Sequence, residues 1–152
     1  MITKTTYLIL LYLTGFLFSI GIKAQLIIEE QYTSGDFPIV NNSAVATLYV
    51  AKNDAEVVKI ASGLFAEDIQ RITGSLPEVD SSEKIVSEFP IIVGTIGESS
   101  LIRTLSDKKI FNVSDISGKW ECYKIQVIDN PFEGVKQALV IAGSDRRGTA
   151  YG

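Results

Sequence analysis

The sequence predicts a mixed α/β domain, a small mixed β-sheet with helices packed on at least one of its faces. Three observations predict it. Short runs rich in β-branched and aliphatic residues, Thr47–Val50, Pro90–Gly94 and Ala138–Ala142, are bounded by turn-forming residues. A long segment between the first two carries apolar residues at three- and four-residue spacing. A later run, from Tyr123 to Asp129, alternates apolar with polar residues.

The chain opens on a segment that lies outside this pattern. Lys4 precedes an uncharged apolar run from Tyr7 to Ile22, and Ile22-Lys23-Ala24 then offers a small residue before Gln25. Residues 1–24 read as a secretory signal peptide. A retained membrane anchor is the competing reading, but the run is shorter than the ~20 apolar residues that span a bilayer. No cysteine follows it to carry a lipid. The expected product is exported, periplasmic or secreted, and would meet a membrane only through an uncleaved leader.

Thr47–Val50 is the first strand, set between Asn41-Asn42-Ser43 and Lys52-Asn53-Asp54. A helix follows, with Asn53 or Asp54 as its cap and Val57, Ala61, Leu64, Phe65, Ile69 and Ile72 as its apolar stripe. Gly74 suits the left-handed position that ends a helix, and Leu76-Pro77 prevents continuation. Pro90–Gly94 is wholly apolar, as in a strand buried on both faces. Gly97 to Leu105 reads as a short helix with Leu101, Ile102 and Leu105 inward, followed by a loop to Gly118. Tyr123, Ile125 and Val127 alternate with Lys124, Gln126 and Asp129, giving a strand with one wet face. Asn130–Gly134 forms a turn, Ala138–Ala142 a buried strand, and a last helix begins near Thr149. The chain stops just after a strand and turn, so a fragment of a longer protein is expected.

Composition narrows the chemistry. Among 152 residues there is no histidine and one cysteine, Cys122. This excludes Ser-His-Asp and Cys-His catalysis, histidine-containing zinc sites, internal disulfides and CxxC motifs. A net charge of −4 opposes nucleic-acid binding, which needs a basic face. No cofactor or metal site is expected. Asn41-Asn42-Ser43 and Asn112-Val113-Ser114 match the N-glycosylation acceptor pattern, which matters only in a glycosylating host.

The remaining motifs have plain structural readings. Gly143 to Gly148 has P-loop glycine spacing, but Thr149 stands where the phosphate-binding lysine belongs. A tight turn explains it, with backbone freedom at both glycines and Asp145 pairing with a nearby arginine. Gly94-Thr-Ile-Gly97 lacks the third glycine of a dinucleotide fingerprint. Glu29-Glu30 and Glu67-Asp68 are sequence neighbours, which point apart on a strand and diverge by ~100° on a helix, so neither pair flanks one glycosidic bond. Trp120 is either a sugar-stacking platform or a plug at the core edge, and Cys122 shares its face if alternation is unbroken.

The carboxy-terminal string from Ala138 to Gly152, with GSDRRGTAYG at its end, resembles the segment that closes the amino-terminal domain of glycoside hydrolase family 115, the xylan α-1,2-glucuronidases. The helix ending Ile69-Gln-Arg-Ile-Thr-Gly74, then Leu76-Pro77, Ile91–Gly94 and Trp120-Glu121 agree in order. The looser features are shared with family 67 α-glucuronidases and β-hexosaminidases. The resemblance implies that residues 25–152 are an accessory α/β domain ahead of a (β/α)8 catalytic barrel absent from this chain. It also implies that the whole enzyme removes glucuronic acid or its 4-O-methyl form from glucuronoxylan with inversion. No catalytic residue then falls on this chain. Asp145, Arg146 and Arg147 match the family string and stand as substrate-contact residues or as interdomain packing. A stand-alone exported carbohydrate-binding or structural domain, or the leading domain of another exo-glycosidase, are the alternatives.

Overall fold

The computed structural model describes residues 27–29, 32–41 and 44–152, so the expected leader lies outside the described residues. Two short antiparallel strands, β1 (Val40–Asn41) and β2 (Ala44–Val45), come first. The chain then forms β3 (Leu48–Val50), α1 (Glu56–Thr73), β4 (Val79–Asp80) and β5 (Ile91–Thr95). It continues through α2 (Ser100–Asp107), β6 (Tyr123–Asp129), β7 (Gln137–Gly143) and α3 (Arg146–Tyr151). The main sheet has the order β4-β3-β5-β7-β6. Its first four strands are parallel, and β6 runs antiparallel to β7 at the edge.

Strand alternation splits the buried side chains into two cores. Leu48, Val50, Ile91, Val93, Leu139 and Ile141 face α1, meeting Val58, Ala66 and Ile69. Tyr49, Ile92 and Val140 face the other way, onto Leu101, Ile102 and Leu105 of α2 and onto Phe111. The sheet is therefore covered on both faces, which explains why its central strands read as unbroken apolar runs. Both cores lie within residues 32–152, which form one compact unit.

Several expectations hold closely. Gly74 ends α1 at φ 76°, where a side chain would be strained. Leu101, Ile102 and Leu105 are the buried positions of α2, and Ser99 caps it by accepting from the Ile102 amide.

Others are corrected. The stripe of α1 is rotated from the expected one: Val58, Ser62, Ala66 and Ile69 are buried, whereas Val57, Leu64 and Ile72 are exposed. The sheet beneath is built of bulky aliphatics, so close approach favours smaller helix residues. Ser62 is tolerated there because its hydroxyl donates to the Val58 carbonyl. Neither Asn53 nor Asp54 is the helix cap, a position held by Ala55 without a side-chain bond. The last helix begins at Arg146 rather than near Thr149. On β6 the expected dry residues Tyr123 and Val127 are exposed, and Ile128 on the opposite face is buried. The reason is placement, since Ile128 packs into the α2-side core and α1 leaves most of this edge uncovered.

Candidate functional site

β3 and β5 are neighbours whose following helices lie on opposite faces, and the chain leaves them toward opposite edges of the sheet. Their carboxyl ends thus open a crevice, the usual ligand position of an open parallel sheet. A cavity of about 500 Å³ occupies it, lined in part by Asn53, Asp54, Thr95, Glu98, Asp145 and Arg146.

The floor of the crevice is a buried hydrogen-bond network. Asp54, 3% exposed, accepts from the Thr95 amide at 2.7 Å, the Thr95 hydroxyl at 2.8 Å and the Ala55 amide at 2.8 Å. Thr95 Oγ1 lies 2.9 Å from Thr149 Oγ1, which is also 2.9 Å from the Asp145 carbonyl oxygen. This network ties the ends of β3 and β5 to α3. The sequence reading did not find it, although an aspartate directly after one strand and a threonine closing the next are its visible traces.

The loop from Gly143 to Gly148 hangs on that floor. Its glycines are required by close approach rather than by unusual backbone angles. A Cβ at Gly143 would collide with the Thr149 backbone nitrogen, and one at Gly148 with the Cys122 carbonyl oxygen. Asp145 caps α3 instead of pairing with an arginine side chain, accepting at Oδ1 from the Arg147 and Gly148 amides. Its Oδ2 accepts from the Glu121 amide at 2.8 Å. The Gly148 amide first, then those of Glu121 and Arg147, hold the Asp145 carboxyl below its ordinary range. The position a phosphate would take at this helix start is already filled by the protein's own carboxylate.

The three residues of the matching string therefore separate. Asp145 organises the loop. Arg147 pairs with Glu121 at 2.9 Å and donates to the Tyr151 hydroxyl at 3.2 Å, contacts that favour its charged form, with Tyr151 the larger influence. Arg146 is exposed, lines the crevice and makes no ion pair or side-chain hydrogen bond among the described residues.

Trp120 stands at the same end of the sheet, since the adjoining Cys122 carbonyl accepts from the Ser144 amide. It is 76% exposed, so it is not a core plug. Glu121 at φ 53° breaks the alternation, and Trp120 and Cys122 lie ahead of β6 rather than in it. Elsewhere, Glu67 and Asp68 both bind Arg71 on the exposed side of α1. Asn112 of the second glycosylation triplet is exposed, its side chain accepting from the Ser114 amide, while the first triplet lies partly outside the described residues. Among the described residues no helix is long and apolar enough to cross a membrane.

No family model matches the chain, and no curated protein matches it. Among solved structures, it is similar to a family GH115 4-O-methyl-α-glucuronidase with specificity for decorated arabinogalactans. The two share 30% identity at a TM-score of 0.53, over 70% of this chain and 12% of that one. The chain thus spans only a small part of that neighbour's length.

Proposed function

We propose that this chain is the amino-terminal accessory domain of an exported glycoside hydrolase of the family 115 type, inactive alone and followed in the complete polypeptide by a catalytic barrel. The likeness to a 4-O-methyl-α-glucuronidase, 30% identical over 70% of this chain, carries the reading. The GSDRRGTAYG string supports it, because Asp145, Gly143, Gly148 and Thr149 each have a geometric task at the crevice. In this reading the substrate of the whole enzyme is glucuronoxylan or another polysaccharide decorated with glucuronic acid.

The crevice is a contact surface in this proposal, not an acid–base site. Inversion needs an acid and a base ~6.5–9.5 Å apart with water between them. Asp54 and Asp145 instead spend their oxygens on donors of their own chain. Arg146 offers the two parallel N–H groups that match a uronate carboxylate, and Trp120 offers an exposed ring for a sugar face. Val57, Ile60, Leu64 and Ile72 on the outer side of α1 supply an apolar face for the following domain.

The test begins with the gene. Reading past the codon for Gly152 should reveal an open frame of several hundred codons with a barrel pattern. Its full product should release glucuronic acid or its 4-O-methyl form from glucuronoxylan or decorated arabinogalactan, and leave a β-hexosaminide control intact. In that product Arg146→Ala should raise KM more than it lowers kcat. A stop codon directly after Gly152, or a full product without uronic acid release, overturns the proposal and leaves an exported stand-alone domain.

A further inference from the structure

We propose that in the complete polypeptide α3 continues past Gly152 as an amphipathic helix of about nine further residues, seated in the groove between α1 and β6. The inference rests on the reading of this chain as the leading domain of a longer enzyme, and it names the surface on which the next segment docks. The groove lies on the α1 side of the sheet. In the β6–β7 register Tyr123, Ile125 and Val127 stand opposite Gly143, Ile141 and Leu139, and opposed residues of an antiparallel pair share a face. Ile141 and Leu139 belong to the α1-side core, so all three β6 side chains point to that side. Tyr123 is 47% and Val127 38% exposed, and Ile125 is half-buried. Across the groove, Leu64 of α1 is 53% exposed.

The path of α3 points to what covers this face. The helix follows β7 as α1 follows β3, but with six residues against eighteen. It packs on α1, β7 and β6. With α1 it borders a cavity of about 320 Å³, lined in part by Leu64, Phe65, Asp68, Ile141, Tyr151 and Gly152. The backbone is still helical where it reaches the groove, since the Gly152 amide donates to the Gly148 carbonyl at 3.2 Å. Gly152 itself rests on the β6–β7 boundary: a Cβ there would stand 2.8 Å from Ile141 Cγ2 and 3.2 Å from Tyr123 Cδ2. Close packing on the sheet thus accounts for this glycine, without the left-handed stop that Gly74 gives α1.

Helical geometry sets the length and pattern of the occupant. From Tyr123 to Val127 the strand runs about 13 Å at ~3.4 Å per residue, a span of about nine helical residues at ~1.5 Å each. Thr149 and Gly152 are sheet-facing positions of α3. The same face returns at about the fourth and the seventh or eighth residue past Gly152, and those positions should be apolar. A covalently joined segment fits better than a separate partner. Gly152 already lines the cavity, and tethering spares the cost of association.

Both cores lie within residues 32–152, so a product ending at Gly152 can be compared with one extended by about ten codons of the gene. In urea melts the longer product should unfold about 1 M higher, from the burial of Tyr123, Val127 and Leu64. Leu64→Lys and Val127→Lys, at exposed positions, should each move the shorter product by less than about 0.5 M and remove about half of the gain or more. Ile72→Lys, away from the cavity, should leave the gain intact. No gain, a gain indifferent to both groove substitutions, or polar residues at the expected positions overturns the proposal. So does a longer product that dimerises through Leu64 and Val127 as readily as the shorter one, which would give the groove to a second copy. A full product that releases uronic acid, while the added residues give no gain, defeats this inference alone. A gain without uronic acid release defeats the glycosidase reading alone, and a stop codon directly after Gly152 defeats both.

Discussion

Replacing Asp54 with alanine removes the one acceptor shared by three donors at the floor of the crevice, the amides of Thr95 and Ala55 and the Thr95 hydroxyl. A buried donor left without a partner costs about 1–3 kcal/mol. Asp54 is 3% and Thr95 5% exposed, so water reaches these donors only from the crevice above them. The Thr95 hydroxyl can turn to Thr149 Oγ1, so only the two amides are orphaned, and the sum is about 2–6 kcal/mol, a large part of the ~5–15 kcal/mol that holds a domain folded. With a urea dependence of about 1–3 kcal/mol per molar, Asp54→Ala should lower the unfolding midpoint by about 2 M. Asp54→Asn keeps one carbonyl oxygen and turns its amide NH2 toward a donor, so a loss of about 1–2 kcal/mol is expected. Thr95→Val, which leaves both amides bonded to Asp54, should cost about 1 kcal/mol. Urea melts followed by circular dichroism measure all three. An Asp54→Ala protein within about 0.5 kcal/mol of the original would refute the view that this carboxylate clamps β3 to β5.

Three further outcomes are expected. Ile69→Ala should cost about 2–5 kcal/mol in the same melts, whereas Ile72→Ala, at an 85% exposed position three residues away, should stay within about 0.5 kcal/mol. Gly148→Ala should destabilise by about 1–3 kcal/mol or more, because the Cys122 backbone that its Cβ meets cannot move aside. Gly63→Ala, inside α1 with nothing near the new Cβ, should instead stabilise by about 0.5–1 kcal/mol. Asp145 has its carboxyl pKa lowered from 3.8, so its contribution is fully present above that unfolded value and lost as pH falls through the lower folded one. Melting temperatures of the original and Asp145→Asn proteins should therefore differ at pH 6 and converge toward pH 3. A constant gap across that range would count against the capping role.

The sequence by itself determined the order and type of the main elements, because each rests on information local to its own segment. The apolar runs of β3, β5 and β7, the ending of α1 at Gly74, and the inward trio of α2 all depend on residues a few positions apart. The matching of GSDRRGTAYG is local in the same way. Asp145 as the cap of α3 was legible by the same rule, an aspartate just before a helix, but the turn reading obscured it. What only the tertiary structure decided were choices among locally equivalent options. α1 carries two overlapping stripes, and the bulk of the sheet beneath selects the one through Val58, Ser62, Ala66 and Ile69 over the more hydrophobic one beside it. The wet face of β6 depends on where the helices sit over the sheet. The bond from Asp54 to Thr95 spans 41 positions and the contact from Thr95 to Thr149 spans 54, distances at which periodicity carries no signal. The separation of Arg146, exposed in the crevice, from Arg147, held by Glu121 and Tyr151, has the same origin. Two adjacent arginines are alike in sequence, and only the neighbours brought by folding make one a support and leave the other free.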